Sequence, residues 1–206
     1  MTVRPIWITG HTVLHRPAKP VVDFDSDLTA LVTDMQDTMR SAPGVGLAAP
    51  QIGVGLRVFV WEWEDDTGFT HEGVVVNPQV VPGQVPRGAP DPDDDIEGCL
   101  SVPGLRFPLR RAQTALLTGL THTGEPLTIA AEGWLARIFQ HEMDHLNGTL
   151  YIDRLRWRDK RAARKEIRAE EWGASWLPGV DDLEGLGEDP EEAETSGNKT
   201  SGNQDD

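Results

Sequence analysis

Apolar residues recur at helical spacing through residues 26–39, where Leu28, Leu31, Val32, Met35 and Met39 fall on one face. Ser26 stands at the head of that run as its N-cap, and the Gly- and Pro-containing stretch 42–46 ends it. The chain before residue 22 is punctuated by Pro and reads as extended. Residues 56–63 alternate and are rich in β-branched and aromatic side chains, the signature of a strand. Segments 74–81, 114–120 and 126–130 read the same way, and 82–95 concentrates Gly, Pro and Asp as a surface loop does. A second helix spans 132–146. Its apolar positions Trp134, Leu135, Ile138, Phe139, Met143 and Leu146 cover more than one face, which predicts burial inside the domain. Asn147 and Gly148 follow as left-handed stop residues. A third helix, 154–172, is studded with Arg and Lys. Short strands followed by a buried helix, with no βαβ alternation and no internal repeat, predict an α+β fold.

Composition changes this picture in one place. The chain of 206 residues carries a formal net charge of −15. Residues 181–206 hold ten acidic residues, one Lys and no aromatic, so they account for −9 and leave a moderately acidic remainder. Such a segment cannot bury enough apolar surface to offset the entropy of ordering it, so a disordered acidic tail is expected after a single domain over 1–180. The single cysteine, Cys99, excludes an internal disulfide and favours a reducing compartment. No apolar run is long enough for a signal peptide or a membrane span. A cytoplasmic protein is expected.

The chemistry sits first in His141-Glu142-Met143-Asp144-His145. Histidines four apart share a helical face and can converge on one metal ion, while Glu142 adjoins the first ligand without being one. The pentad identifies a metal, not a substrate. A catalytic site needs a third protein ligand and an open position. Glu166 and Glu170 are candidates downstream, as in zinc peptidases. Glu166, however, lies among Arg164, Lys165 and Arg168, where an ion pair with its neighbours explains it. Cys99 lies upstream in Glu97-Gly98-Cys99-Leu100-Ser101-Val102-Pro103, where Gly98 allows close backbone approach and Pro103 ends the extended run. A thiolate there is a soft ligand suited to Fe²⁺ or Zn²⁺, and Cys99 is the better third ligand. In Gly44-Val45-Gly46-Leu47-Ala48-Ala49-Pro50-Gln51, small residues let the backbone lie close to a ligand and Gln51 offers an amide donor.

Taken in order, Gly44 to Gln51, Glu97 to Ser101 and Gln140 to His145 resemble the peptide deformylase family, which is marked by these same three stretches. The resemblance runs from about Val13 to Arg154 and leaves out the acidic tail. It implies antiparallel sheets packed around a central metal-binding helix, and hydrolysis of the N-formyl-methionyl end of new polypeptides to formate and a free N-terminus. Glu142 would be the acid–base group. Gln51 and the backbone N–H of Leu100 would meet the developing oxyanion. Val45 and Gly46 would contact substrate, with Gly46 bonding its backbone. The metal would be one divalent ion, natively Fe²⁺, with Zn²⁺ also accommodated. Arg137 departs from the aliphatic residue common in the family at the methionine pocket; one turn before His141, its stem is expected as pocket wall and its guanidinium at the rim, near a substrate carbonyl. The run 154–168, with eight basic and two acidic residues, is chiefly a solvated face but suits weak ribosome contact. No DNA partner is expected. The alternative enzyme is a zinc peptidase with Glu166 as third ligand, in which Cys99 is dispensable.

Overall fold

The computed structural model describes residues 2–170 and 172–179; the acidic segment 181–206 lies outside them. The elements in chain order are β1 (Ile6–Trp7), α1 (Ser26–Ser41), β2 (Gly46–Ala48), β3 (Val58–Glu64), β4 (Thr70–Pro82), β5 (Ile96–Cys99), β6 (Val102–Pro108), β7 (Thr114–Leu120), β8 (Pro126–Glu132), α2 (Gly133–Leu146), α3 (Tyr151–Arg154), α4 (Trp157–Ala169) and β9 (Ser175–Trp176). Strands β2-β3-β4-β7-β8 form a five-stranded antiparallel sheet. Two smaller antiparallel pairs, β5-β6 and β1-β9, stand apart from it.

Strand β3 shows why the layers stack as they do. Side chains on successive strand residues point to opposite faces. Val58 and Val60 meet Leu28, Leu31, Met35 and Met39 of α1 in one core, and Phe59 and Trp61 meet Ile138 and Phe139 of α2 in another. Because helices cover both faces of β3, all four residues are apolar and the alternation expected there is replaced by a continuous hydrophobic run. The Trp61 ring lies edge-on to Phe139, 5.0 Å between centroids. A third core gathers Leu14, Val102, Leu150, Tyr151 and Leu155 beneath α3 and α4. Helix α2 is thus enclosed, contacting β2, β3, β4, β7 and β8.

Local chemistry moves several expected boundaries. Asp25, not Ser26, caps α1: its carboxylate accepts from the N–H groups of Asp27 and Leu28 at 3.0 and 3.1 Å, and a full negative charge complements the helix N-terminus better than a hydroxyl. At the end of α2 the left-handed residue is Gly148 (φ 71°), while Asn147 keeps φ −97°. A Cβ on Gly148 would lie 2.7 Å from the Arg16 backbone, so the stop also serves a close crossing. The expected helix over 154–172 is two helices. Leu155 turns into the third core with an extended ψ of 154°, which breaks the helical path between α3 and α4. Pro103 does not end an extended run but lies inside β6.

The three cores and the candidate site found among the described residues are built from residues 6–176, and the composition of 181–206 offers neither core nor ligands, so a chain ending at Gly179 is expected to keep its melting temperature within a few degrees and retain full activity. A large fall in either would show that the acidic segment docks on the domain.

Candidate active site

The hairpin β5-β6 and helix α2 meet at three side chains. Cys99 ends β5, and His141 and His145 sit one turn apart on α2. Cys99 Sγ and His141 Nε2 each lie 3.2 Å from His145 Nε2, and the three potential ligand atoms are all within 4.8 Å of one another. Among the described residues this is the group of Cys, His and carboxylate side chains that can hold a metal ion, so neither Glu166 nor Glu170 belongs to it. Both are exposed, Glu166 on α4 and Glu170 at its C-cap.

Buried charge fixes the first histidine. Glu97 is 4% exposed and its Oε1 accepts from His141 Nδ1 at 2.7 Å, which leaves Nε2 to face the cluster. Arg111 grips the same carboxylate with two bonds, Nη2 to Oε1 at 2.6 Å and Nε to Oε2 at 3.0 Å. Its remaining arm reaches Asp144 Oδ2 at 2.7 Å, and Asp144 is held in turn by Arg154. Burial alone would raise the Glu97 carboxyl, but the bonds from His141 and Arg111 outweigh it and bring it down to about 2. Burial likewise disfavours a charge on His141, yet its bonds to Cys99 and Glu97 prevail and hold it well above the ordinary histidine value. His145 goes the other way: burial, reinforced by the His141 charge, keeps it well below that value. The surroundings of His141 therefore favour a positive charge at the centre of the cluster, which a divalent cation would supply while displacing the proton. One thiolate and two imidazoles form a donor set suited to Fe²⁺ or Zn²⁺.

A cavity of about 600 Å³ opens onto the cluster, with Gly46, Gln51, Cys99, Leu100, His141 and Glu142 among its walls. Glu142 is 4% exposed, and its Oε2 is buried without a hydrogen-bond partner. That isolation raises its carboxyl to about 7, with the His141 charge partly opposing. Gly46 leaves Glu142 its place, because a Cβ there would displace the Glu142 carboxylate. Gln51 is oriented by its own loop: its Oε1 accepts from Ala48 N at 2.8 Å, which turns Nε2 toward Ser101 Oγ at 3.3 Å and Cys99 Sγ at 3.9 Å. Val45 and Leu100 also line the cavity.

Arg137 differs from expectation. Its side chain lines the cavity, but the guanidinium is not at a solvent rim. It is 7% exposed, with Nη1 donating to the carbonyls of Asp95 and Leu109 at 3.1 Å each and Nη2 donating to Asp95 Oδ1 at 3.0 Å. A guanidinium whose donors are met inside the protein has no reason to reach for water or a substrate carbonyl. The residues that sequence reasoning missed are Arg111, Asp144 and Glu97 as an orienting carboxylate. Asp144, a charged residue with no role assigned to it on an enclosed helix, was the available signal for the network.

Comparison with known proteins agrees with the geometry. The family model Polypeptide deformylase matches residues 3–161. A peptide deformylase of Mycolicibacterium paratuberculosis is 51% identical over 189 residues, 87% of this chain and 96% of that protein. One from Tropheryma whipplei is 47% identical over 194 residues, 85% of this chain and 94% of its own length. Among solved structures, a peptide deformylase from Legionella pneumophila superposes with a TM-score of 0.69 at 40% identity, over 82% of this chain and 99% of that one.

The placement of Arg137 carries its own test. Arg137→Met should leave Asp95 with Arg110 as its remaining guanidinium partner and lower stability by about 2 kcal/mol, within the range for a lost hydrogen bond to a charged group. Equilibrium urea unfolding reads this, and an unchanged midpoint would mean that the pair contributes nothing.

Proposed function

The chain belongs to the peptide deformylase family, an enzyme family of hydrolases that process the N-termini of new proteins, and from that premise we propose the following roles for its residues. Cys99, His141 and His145 hold one divalent metal ion, natively Fe²⁺, with Zn²⁺ as an alternative. The observation that carries this reading is the convergence of the three ligand atoms, two of them on residues of the cavity wall, with Glu142 in the same wall and no fourth ligand in the group among the described residues. When bound there, the ion supplies Lewis acidity that brings the deprotonation of water toward neutral pH.

The chain's own groups do the rest. Glu142, buried and without a partner for Oε2, accepts the proton of the attacking water and later delivers it to the leaving amine. As the formyl carbon becomes tetrahedral, charge grows on its oxygen; Gln51 Nε2 and the Leu100 N–H donate to it, each worth about 3 kcal/mol. Val45 and Gly46 lie along the substrate's backbone, and Gly46 bonds to it. Because Gly46 carries no side chain, the same strand brings substrate and Glu142 together. The stem of Arg137 forms wall, while its head orders the Asp95 and Leu109 carbonyls.

Further proposals concern setting. Residues 1–180 are the catalytic unit. The enzyme works in the cytoplasm, where formylated chains leave the ribosome, and no helix among the described residues is long and apolar enough to cross a membrane. The basic surface over 154–168 suits weak ribosome contact. Arg154 is committed to Asp144, so the Arg and Lys residues of α4 would carry it.

Formate release from a formyl-Met peptide, with metal content determined on the same anaerobically purified sample, tests the activity. Glu142→Ala is expected to keep its metal and lose nearly all turnover; loss of metal equal to that of His141→Ala would refute its role. Cys99→Ala is expected to lose tight metal binding and Glu166→Ala to keep it. The reverse pattern by metal analysis would favour the peptidase arrangement.

A further inference from the structure

The turn that carries Cys99 does not fit its hairpin unaided. Leu100 and Ser101 form a two-residue connection between β5 and β6, closed by the Cys99–Val102 pair. Two-residue hairpin turns favour Gly or Asn at positive φ, which matches the twist of the flanking strands. Neither Leu100 nor Ser101 has positive φ, since Asn77 is the one non-glycine residue with it among those described. The register also slips between Gly98 and Cys99. Within the hairpin the turn is held by the Ser101 N–H on Cys99 Sγ at 3.4 Å, and from outside by the Gln51 amide on Ser101 Oγ and by two further donors.

Those two donors come from residues 9 and 176, far apart in sequence. Thr9 N donates to the Ser101 carbonyl at 2.8 Å, and the indole Nε1 of Trp176 donates to the Leu100 carbonyl at 2.9 Å. The two clamps are tied to each other, because β1 pairs with β9 (Ile6 opposite Trp176, Trp7 opposite Ser175) and Ile8 N donates to the Ala174 carbonyl at 2.9 Å. Ser175 is buried, and the Trp176 ring packs with Leu100 against the core of α1 while forming part of the cavity wall. The family match ends at residue 161, so Trp176 lies beyond it.

We infer that Trp176 is a positioning residue of the active site: through its indole N–H it fixes the Leu100–Ser101 turn, and so the placement of the Cys99 thiolate and the Leu100 N–H. The inference rests on the roles proposed above for Cys99 and Leu100. A free turn would leave the thiolate and the donor sampling several orientations, which weakens metal binding and transition-state stabilisation more than it weakens substrate binding.

The test uses the full chain with two substitutions. Trp176→Phe keeps an aromatic ring and removes the donor; Trp176→His keeps a ring N–H on a smaller ring. For Trp176→Phe, Zn²⁺ affinity by chelator competition should fall about tenfold, the lower end for residues that orient ligands. Its kcat for a formyl-Met peptide should fall about three- to tenfold, as for one lost hydrogen bond, with KM within about twofold. Trp176→His should recover part of both losses. Equal losses in Phe and His would overturn the donor role, as would a lowered melting temperature with Zn²⁺ affinity and kcat unchanged. If the unsubstituted enzyme released no formate, the proposed activity would fail instead, and the Zn²⁺ affinities alone would still decide whether Trp176 orders the turn.

Discussion

The buried carboxylate of Glu97 is the constraint around which this site is arranged. At 4% exposure a lone carboxylate would be driven to its neutral form. Arg111 and His141 keep it charged, and each brings a separate part of the chain to it: Arg111 from the segment before β7, His141 from α2. Arg111 is then obliged to share itself with Asp144, and Asp144 recruits Arg154. Buried ion pairs of this kind add little net stability compared with apolar packing, but removing one partner is costly. The network therefore acts as an alignment device. It couples the orientation of the His141 ring to the seating of α2 against β5, so ligand geometry and helix packing cannot drift independently.

Much of this was legible in the sequence where the signal is periodic or local. The buried face of α1 (Leu28, Leu31, Val32, Met35, Met39), the strand over Thr114–Leu120, the enclosed character of α2 and the convergence of His141 and His145 all follow from spacing along one element. What was not legible depends on pairing across the chain. Arg137 looked like a rim residue because its partner, Asp95, lies 42 positions away in a loop rich in acids, with nothing to single it out. Arg111 and Asp144 are 33 positions apart. The break at Leu155 has the same origin, since a core that needs Leu155 decides it, not helix propensity.

The His-Glu-x-x-His pentad alone left the third ligand open between a thiolate and a downstream carboxylate. Placement separates them: Cys99 reaches the histidines from a hairpin tied to α2 by the Glu97–His141 bond, whereas Glu166 sits on the exposed side of α4. The glycine-rich stretch, weak as an isolated signal, gains its meaning from one contact. Gly46 is where the backbone passes so near Glu142 that a side chain would push the carboxylate aside.

The ladder between β1 and β9 has a temporal meaning as well as a spatial one. Synthesis proceeds from the N-terminus, and local elements such as α1 and the β3-β4 hairpin can form while the rest is still being made. The pairing of Ile6 with Trp176 cannot, because the two residues lie 170 positions apart (176 less 6) and all of the chain between them must first emerge. An architecture that secures the Leu100–Ser101 turn through a pairing of such sequence separation leaves that turn loose until β9 has been made, so the contacts that hold it form after the local ones.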